Sequence, residues 1–340
     1  MRTRRTLSLA SLLAVFVLAL TAAVSDAAKK PVEIRLAYGI PPLQITGLLF
    51  AKKELLTHYG KSYTLKMIYA KASSLVPPLL AAKEADVGYV SYTAFAHSIV
   101  NAKLDIKIVA DLLQWGIPGW FNSFWSVRRD SGINTVKDLK GKRIAVPAFG
   151  TALDMALRVM MRRQGFEANR DYNVVEVRFP NMAGMLTSGK VDAAVLLPPW
   201  WYQPRYNKKL KFIFSPDQAL GRIQALFQVA RTEWLKKNPE VAKDFFEDYL
   251  KAWRWYIDPS NREEALDIIA KLTKRPRKNY AGWALTPKEY YRGPNALVNA
   301  KALQSNVDVM HKLGFLKRKL DVSKYMDMSY IEEANRRLAK

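Results

Sequence analysis

Residues 135–166 read TVKDLKGKRIAVPAFGTALDMALRVMMRRQGF, and residues 181–201 read NMAGMLTSGKVDAAVLLPPWW. Arg143 to Val146 is a short β-forming run. Pro147 ends its ladder pairing because proline has no N–H to give. Phe149-Gly150-Thr151 is a tight turn, and Thr151 stands at the N-cap of a helix whose apolar residues are Leu153, Ala156, Leu157, Met160 and Met161. Gly165 stops that helix. Val174 to Val177 is a second strand, Met182 to Leu186 begins a second helix stopped by Gly189, and Val191 to Leu197 is a third, almost wholly apolar strand. Strand, helix, strand, helix, strand in this order predicts a parallel, doubly wound α/β unit with buried strands.

Ligands of such units sit beyond the C-terminal ends of the strands, where helix N-termini point. Ala148 to Thr151, Pro180-Asn181 and Pro198 to Trp201 occupy those ends. A helix N-terminus offers free N–H groups and the positive end of a dipole, so it favours an anion. Thr151 has two readings: a cap for its own helix, or a hydroxyl offered to a ligand.

The stretch resembles the second lobe of periplasmic substrate-binding proteins of the nitrate, sulfonate, taurine and thiamine-precursor group, which serve ATP-binding-cassette (ABC) importers. The resemblance rests on Asp138-Leu139-Lys140-Gly141-Lys142 before a strand and proline, then Phe149-Gly150-Thr151, then Leu186 to Ala194 (LTSGKVDAA). It implies a two-lobed periplasmic-binding-protein fold of type II. Each lobe would be a doubly wound, mostly parallel sheet with helices on both faces, and two crossing strands would join them.

Working outward, the N-terminal half shows the same alternation. Val32 to Tyr38 reads as a strand and Ile45 to Tyr59 as a helix. Tyr63 to Tyr69 is the next strand, and a helix opened by Ala72-Ser73-Ser74 runs to Ala82. A third strand follows Glu84 to Val90, Ser91-Tyr92-Thr93 caps the next helix, and Ile106 to Leu112 is a fourth strand. Ser73-Ser74 corresponds to Gly150-Thr151, and Ala81 to Gly88 corresponds to Thr187 to Ala194. The relatives carry a glycine within the first of these elements. This chain has Lys83-Glu84-Ala85 there, a departure at a helix end. Asn122 to Arg128 would carry the chain into lobe two and Ala225 to Arg231 back again. Glu233 to Glu240 (EWLKKNPE) matches the helix that follows the return in that group. Pro239–Tyr256, Arg262–Leu272, Lys301–Leu313 and Tyr330–Leu338 read as helices that pack on lobe one. The expected organisation is a signal peptide over 1–28, the first part of lobe one over 29–126, lobe two over 127–228, and the return to lobe one with the C-terminal helices over 229–340.

The chain has 340 residues, 49% hydrophobic and 25% charged, enough for two sizeable lobes. Its 54 Lys and Arg against 30 Asp and Glu give a net charge of +24. The basic residues are scattered, with no zinc spacing or recognition-helix pattern, which argues against nucleic acid and fits an exported protein that collects an anion. The absence of cysteine excludes disulfides, thiol chemistry and a lipid-anchored N-terminal cysteine.

A small-molecule cleft needs convergent polar groups and aromatic walls. Gln44, Ser73, Ser74, Tyr92 and Thr93 are the candidates from lobe one, and Gly150, Thr151 and Asn181 from lobe two. Trp115 and Trp200 are candidate aromatic walls, as are Trp120 and Trp201, and each also reads as a core residue. Arg128, Arg178 and Arg205 are candidate anion partners that read equally as solvated surface arginines. His58, His97 and His311 lie far apart without metal-ligand spacing, and neither G-x-S-x-G nor a P-loop glycine run occurs. The expectation is a binding protein and not an enzyme, with no cofactor and no metal. It would act as a monomer, with a small-molecule ligand and the membrane permease of an ABC importer as partners. The ligand class is a sulfonate or aromatic acid. The alternative is a thiamine-pyrimidine precursor, or a related pyrimidine-synthesising enzyme of the same fold.

Arg2, Arg4 and Arg5, the apolar run Leu7 to Val24 and the small-x-small Ser25-Asp26-Ala27 have the form of a secretory signal peptide cleaved near Ala27, which implies a periplasmic location. N-terminal sequencing of protein from the native host should begin within a few residues of Lys29. Recovery of intact Met1 from the cytoplasm would end the export reading.

Overall fold

The computed structural model describes residues 30–39 and 44–339. The expected signal peptide lies outside the described residues, and none of their helices is long and apolar enough to cross a membrane. The strands are β1 (Val32–Tyr38), β2 (Tyr63–Tyr69), β3 (Val87–Ser91), β4 (Ile106–Trp115), β5 (Phe124–Arg128), β6 (Arg143–Val146), β7 (Asn173–Glu176), β8 (Ala193–Leu196), β9 (Leu210–Phe214) and β10 (Ile223–Arg231).

They form two five-stranded sheets, ordered β2-β1-β3-β10-β4 and β7-β6-β8-β5-β9. In each, the first three strands are parallel and a fourth runs antiparallel: β10 pairs with β3 and β4, and β5 with β8 and β9. The chain passes from the first sheet to the second over 116–123 and back over 215–222. The two sheets are therefore copies of one pattern, the α/β two-lobed architecture expected from the sequence.

The repeated Asp motif has a structural reason. In the first lobe the Arg35 N–H donates to the Asp86 carboxylate at 3.0 Å, and the Asp86 N–H returns a bond to Arg35 O at 2.8 Å. In the second, Arg143 N donates to Asp192 at 2.9 Å and Asp192 N to Arg143 O at 2.8 Å. Each pair locks the first strand of its lobe to the chain entering the third. Burial alone would raise the Asp86 carboxyl, but Arg35 and Arg231, at 2.6 and 2.7 Å, hold it below the ordinary value. Two residues on, Gly88 lets a helix lie on the sheet, since a Cβ there would come within 2.7 Å of Val76 Cγ1.

Helices α1 (Thr46–Leu49), α2 (Val76–Ala81), α3 (Tyr92–Val100), α4 (Ala152–Arg163) and α5 (Phe179–Thr187) lie between the strands. The single helix expected over 45–59 is instead α1 followed by a 3-10 turn at Lys53–Leu55. The buried carboxylate of Asp248 takes the N–H groups of Thr57, His58 and Tyr59 at 2.6, 2.9 and 3.2 Å, and with them used this way the chain leaves helical geometry. His58 consequently sits in a bend. Asp248 also accepts from Tyr63 at 2.9 Å, so this one side chain fastens a long C-terminal helix, Pro239–Ile257, to the first sheet. Several strand ends differ from expectation: β4 runs on to Trp115, β8 is confined to Ala193–Leu196, β5 and β10 begin at Phe124 and Ile223, and β7 lies one residue earlier.

The return strand is pinned by Asp111 on β4. Its carboxylate accepts from Gln224 of β10 at 2.6 Å, from Leu112 N at 2.7 Å and from Gln114 at 2.9 Å. Gln224 in turn accepts from Asn299 N at 2.8 Å and donates its own N–H to Asn306 at 3.1 Å, which ties helix Ala300–Lys312 to the same point. Burial pushes the Asp111 carboxyl up to about 6 against these donors. A raised folded-state value means that the unfolded chain loses this proton first, so stability falls as pH rises from about 4 to about 6. Asp111→Asn, neutral at every pH, should lack this component. The difference in urea stability between wild type and variant should therefore shift by up to about 3 kcal/mol across that window. Parallel curves would mean that Asp111 ionises normally in the folded protein.

Candidate functional site

The C-terminal ends of the two sets of parallel strands face each other, and a cavity of about 50 Å³ lies between them. Ser73 and Trp115 border it from the first lobe, and Thr151, Ala152 and Leu153 from the second. Trp115 is buried and its indole Nε1 has no hydrogen-bond partner. Such an orphaned buried donor is costly unless something fills the cavity in use. The Ser73 hydroxyl likewise makes no hydrogen bond among the described residues, whereas Thr151 is occupied. Its hydroxyl donates to Ala148 O at 2.9 Å and accepts from Asp154 N at 3.4 Å, the helix-cap arrangement. The N–H groups of Ala152 and Leu153, in the first turn of α4, have no intrahelical acceptor and border the same space. A donor set of indole, hydroxyl and helix amides suits an anionic head group.

Three further candidates, Gln44, Gly150 and Tyr92, support this cavity, together with Tyr89, which the sequence did not single out. Gln44 is buried in its wall, accepting from Gly39 N and Thr46 N at 3.3 and 3.1 Å and donating to the Thr46 hydroxyl. Tyr89 donates to Ala70 O at 3.0 Å and so fixes the turn leading to Ser73. Gly150 has a left-handed φ of +73°, and a Cβ added there would lie 3.6 Å from Ser74 Cβ. The two turns matched in sequence thus meet across the cleft. Tyr92, fully buried, donates to Ala152 O at 3.4 Å and bridges the lobes; burial raises its phenol well above the ordinary range. Burial also raises the Asp154 carboxyl, although Arg158 at 2.8 Å and Gly150 N at 2.9 Å oppose the shift.

Two wider chambers adjoin. One, of about 450 Å³, is bordered by Tyr69, Lys71, Arg178 and Phe179. The other, of about 500 Å³, is a groove bordered by Tyr38, Phe50, Lys53, Tyr59, Trp200 and Arg275. Lys71 and Phe179 also border the deep cavity, and Phe179 stacks on Trp200 with centroids 6.3 Å apart. Trp200 therefore belongs to the groove. Thr93 is buried in α3 and Asn181 is exposed on α5, and neither lines these chambers. Trp120 packs against Tyr291 and Trp201 against Phe124, both away from the cleft. Of the three candidate arginines, Arg178 alone lines a chamber. Arg128 bonds Asp130 and Leu186 O, and Arg205 lies over Tyr206. Lys53, Lys71, Arg275, Tyr69 and Phe179 escaped the sequence reading. They sit at or next to the ends of their elements, which is no distinguishing signal in the sequence.

Among the described residues one His and carboxylate group, His58, Asp244 and Glu247, is compact enough for a metal ion. The Arg337 guanidinium already pairs with both carboxylates, at 3.1 and 3.0 Å, and supplies the positive charge there.

A family model described as NMT1/THI5 like matches residues 64–262, more than half of the chain. Among curated proteins, the chain is 26% identical over 157 residues to the nitrate/nitrite binding protein NrtA of Synechococcus elongatus, covering 42% of this chain and 33% of that protein. The chain spans less than two thirds of the length of the curated relatives it first matches, reaching 63% in a relative from Brucella abortus. Among solved structures, the periplasmic aliphatic sulphonate binding protein SsuA of Escherichia coli superposes with a TM-score of 0.68 at 19% identity, covering 88% of this chain and 92% of that one. The periplasmic nitrate-binding protein NrtA of Synechocystis PCC 6803 superposes with a TM-score of 0.69 at 16% identity, covering 91% and 89%. These likenesses show the shared fold.

The bonding states of Ser73 and Thr151 separate a ligand donor from a cap. Ser73→Ala should weaken anion binding tenfold or more, the loss of a hydrogen bond to a charged group, and leave the melting temperature of the ligand-free protein nearly unchanged. Thr151→Ala should cost about 0.5–2 kcal/mol of fold stability. Titration calorimetry and melting curves on both variants check this. A Ser73→Ala protein with wild-type affinity would move the head group elsewhere.

Proposed function

The chain belongs to the NMT1/THI5-like family, and from that premise we propose that it is an extracytoplasmic solute-binding protein. It captures a small anionic organic ligand, of the sulfonate or aromatic-acid class, between its two lobes and passes it to the membrane permease of an ABC importer. The observation that carries this reading is the cavity between the lobes, bordered by Ser73, by the first turn of α4 and by Trp115, whose buried indole N–H has no partner. The lysines and arginines at the mouths of that cavity add an attractive field for an anion. The names of the similar proteins, nitrate/nitrite binding and aliphatic sulphonate binding, point to the same ligand chemistry.

Binding without chemistry suits these residues. Lys71 apart, the deep cavity is lined by neutral donors and apolar side chains, with no paired acid and base at hydrogen-bond distance among the described residues. The lobes meet through few direct polar contacts near the site, Tyr92 to Ala152 O among them. A ligand bridging them would therefore decide the balance between open and closed forms.

A thermal-shift screen of the exported protein against alkanesulfonates, aromatic sulfonates, aromatic carboxylates, nitrate and pyrimidines tests the proposal. A true ligand at 100 times its dissociation constant should add roughly 2.7 kcal/mol of stability. A response to pyrimidines alone, with silence from every anion, would replace this reading.

A further inference from the structure

The groove beside Trp200 is too large and too particular in its lining to be idle. At about 500 Å³ it is ten times the deep cavity and within the size range of small-molecule sites. Its walls are aromatic, and two cations reach into it. Lys53 Nζ lies 5.1 Å from the centroid of Tyr59, and the Arg275 guanidinium lies 5.3 Å from that of Trp200. Neither forms an ion pair with a carboxylate among the described residues, although neighbouring Lys52 pairs with Glu264 and Arg277 with Glu263 and Asp267. Arg275 is aimed by the backbone: Lys274, at a left-handed φ of +52°, ends helix Arg262–Thr273, and the next residue turns into the groove. A guanidinium held over an indole face can still offer N–H donors to a carboxylate or sulfonate.

The groove reaches the deep cavity by way of the 450 Å³ chamber, which shares Tyr69 with the groove and Lys71, Ala72 and Phe179 with the cavity. Phe179 borders the cavity and Trp200 the groove, and their rings are stacked at an interplanar angle of 18°. Nitrate or a short alkanesulfonate would fill the deep cavity and leave the rings and both cations to water. We propose that cavity and groove are two halves of one site, and that its ligand is a planar aromatic anion with an acidic group at each end. One group lies among Ser73, Trp115 and the α4 amides, the ring lies along the aromatic wall at Trp200, and the second group lies between Lys53 and Arg275. This inference rests on the reading of the interlobe cavity as the solute site.

Calorimetric titration of the exported protein with methanesulfonate, benzenesulfonate and 4-sulfobenzoate tests it. Wild type should prefer 4-sulfobenzoate to benzenesulfonate by tenfold or more. The double variant Lys53→Gln with Arg275→Gln should bring that preference to within twofold. Benzenesulfonate serves as the internal report that the variant is folded and its cavity open. No preference in wild type, or a preference that survives in the variant, overturns the inference and leaves the solute-binding reading standing. Failure of all three compounds to bind wild type rejects both.

Discussion

The fold depends first on a carboxylate placed just before the third strand of each lobe. A β-α-β crossover must bring a distant strand back beside the first, and the loop that does so carries polar backbone to a buried sheet edge. Asp86 and Asp192 solve this in the same way. Each takes the N–H of the arginine on the first strand, Arg35 or Arg143, while its own N–H goes to that arginine's carbonyl. Register follows directly, with Leu36 opposite Val87 in one sheet and Ile144 opposite Ala193 in the other. In the first lobe a second arginine, Arg231 from the return strand, joins the same carboxylate, so the clamp also holds the chain after its excursion through lobe two. Removing the Asp86 carboxylate would break the link between Arg35 and Arg231 and leave the Arg35 amide without its acceptor, a costlier defect than a lost surface ion pair.

With the register set at that end, the geometry of the other end is determined. The strands deliver Ser73, Trp115 and Thr151 to one side of the molecule, and because the two sheets repeat one pattern, the two sets of turns confront each other. Gly150 faces Ser74 across the cleft, and its left-handed backbone permits a turn that a β-branched residue would strain. Asp111 performs the complementary task on β4. It anchors β10 and the loop before Ala300–Lys312, and Trp115 lies four residues along the same strand. The indole is thus carried by a strand fixed by the Asp111 hydrogen bonds, which would suit a donor held in place before a ligand arrives.

What could be read in the sequence was what local pattern encodes. Strands β1, β2 and β6 lie where alternation and proline placed them, Thr151 caps its helix, and the repeated Asp motif announced two similar lobes. The failures have a common cause. The helix expected over 45–59 is broken by Asp248, some 190 residues away, whose carboxylate takes the amides that the helix would have used. Lys53, Arg275 and Tyr69 reach the cleft from three elements with no shared periodicity, and nothing near them in sequence distinguishes them from other surface residues. Trp200 was legible as an aromatic wall because it follows two prolines at a strand end. Which chamber it serves depends on its stack with Phe179, a contact between separate segments.

The division of labour within the cleft follows from desolvation. A cation placed in the deep cavity would bind an anion strongly, but it would stand uncompensated whenever the site was empty, at a cost of several kcal/mol. Neutral donors avoid this. A hydroxyl, an indole N–H and helix amides each contribute about 1.5–3 kcal/mol to a charged acceptor, and an empty site leaves only modest unsatisfied groups. Lys71 borders the deep cavity and the adjoining chamber alike, and the other formal charges stand farther out, where water solvates them when no ligand is present: Arg178 at that chamber, Lys53 and Arg275 at the groove. There they would raise the encounter rate of an anion and would distinguish ligands that carry charge beyond the head group. A carrier that must load and unload is better served by attraction at the rim and neutral hydrogen bonds at the floor than by a salt bridge buried between its lobes.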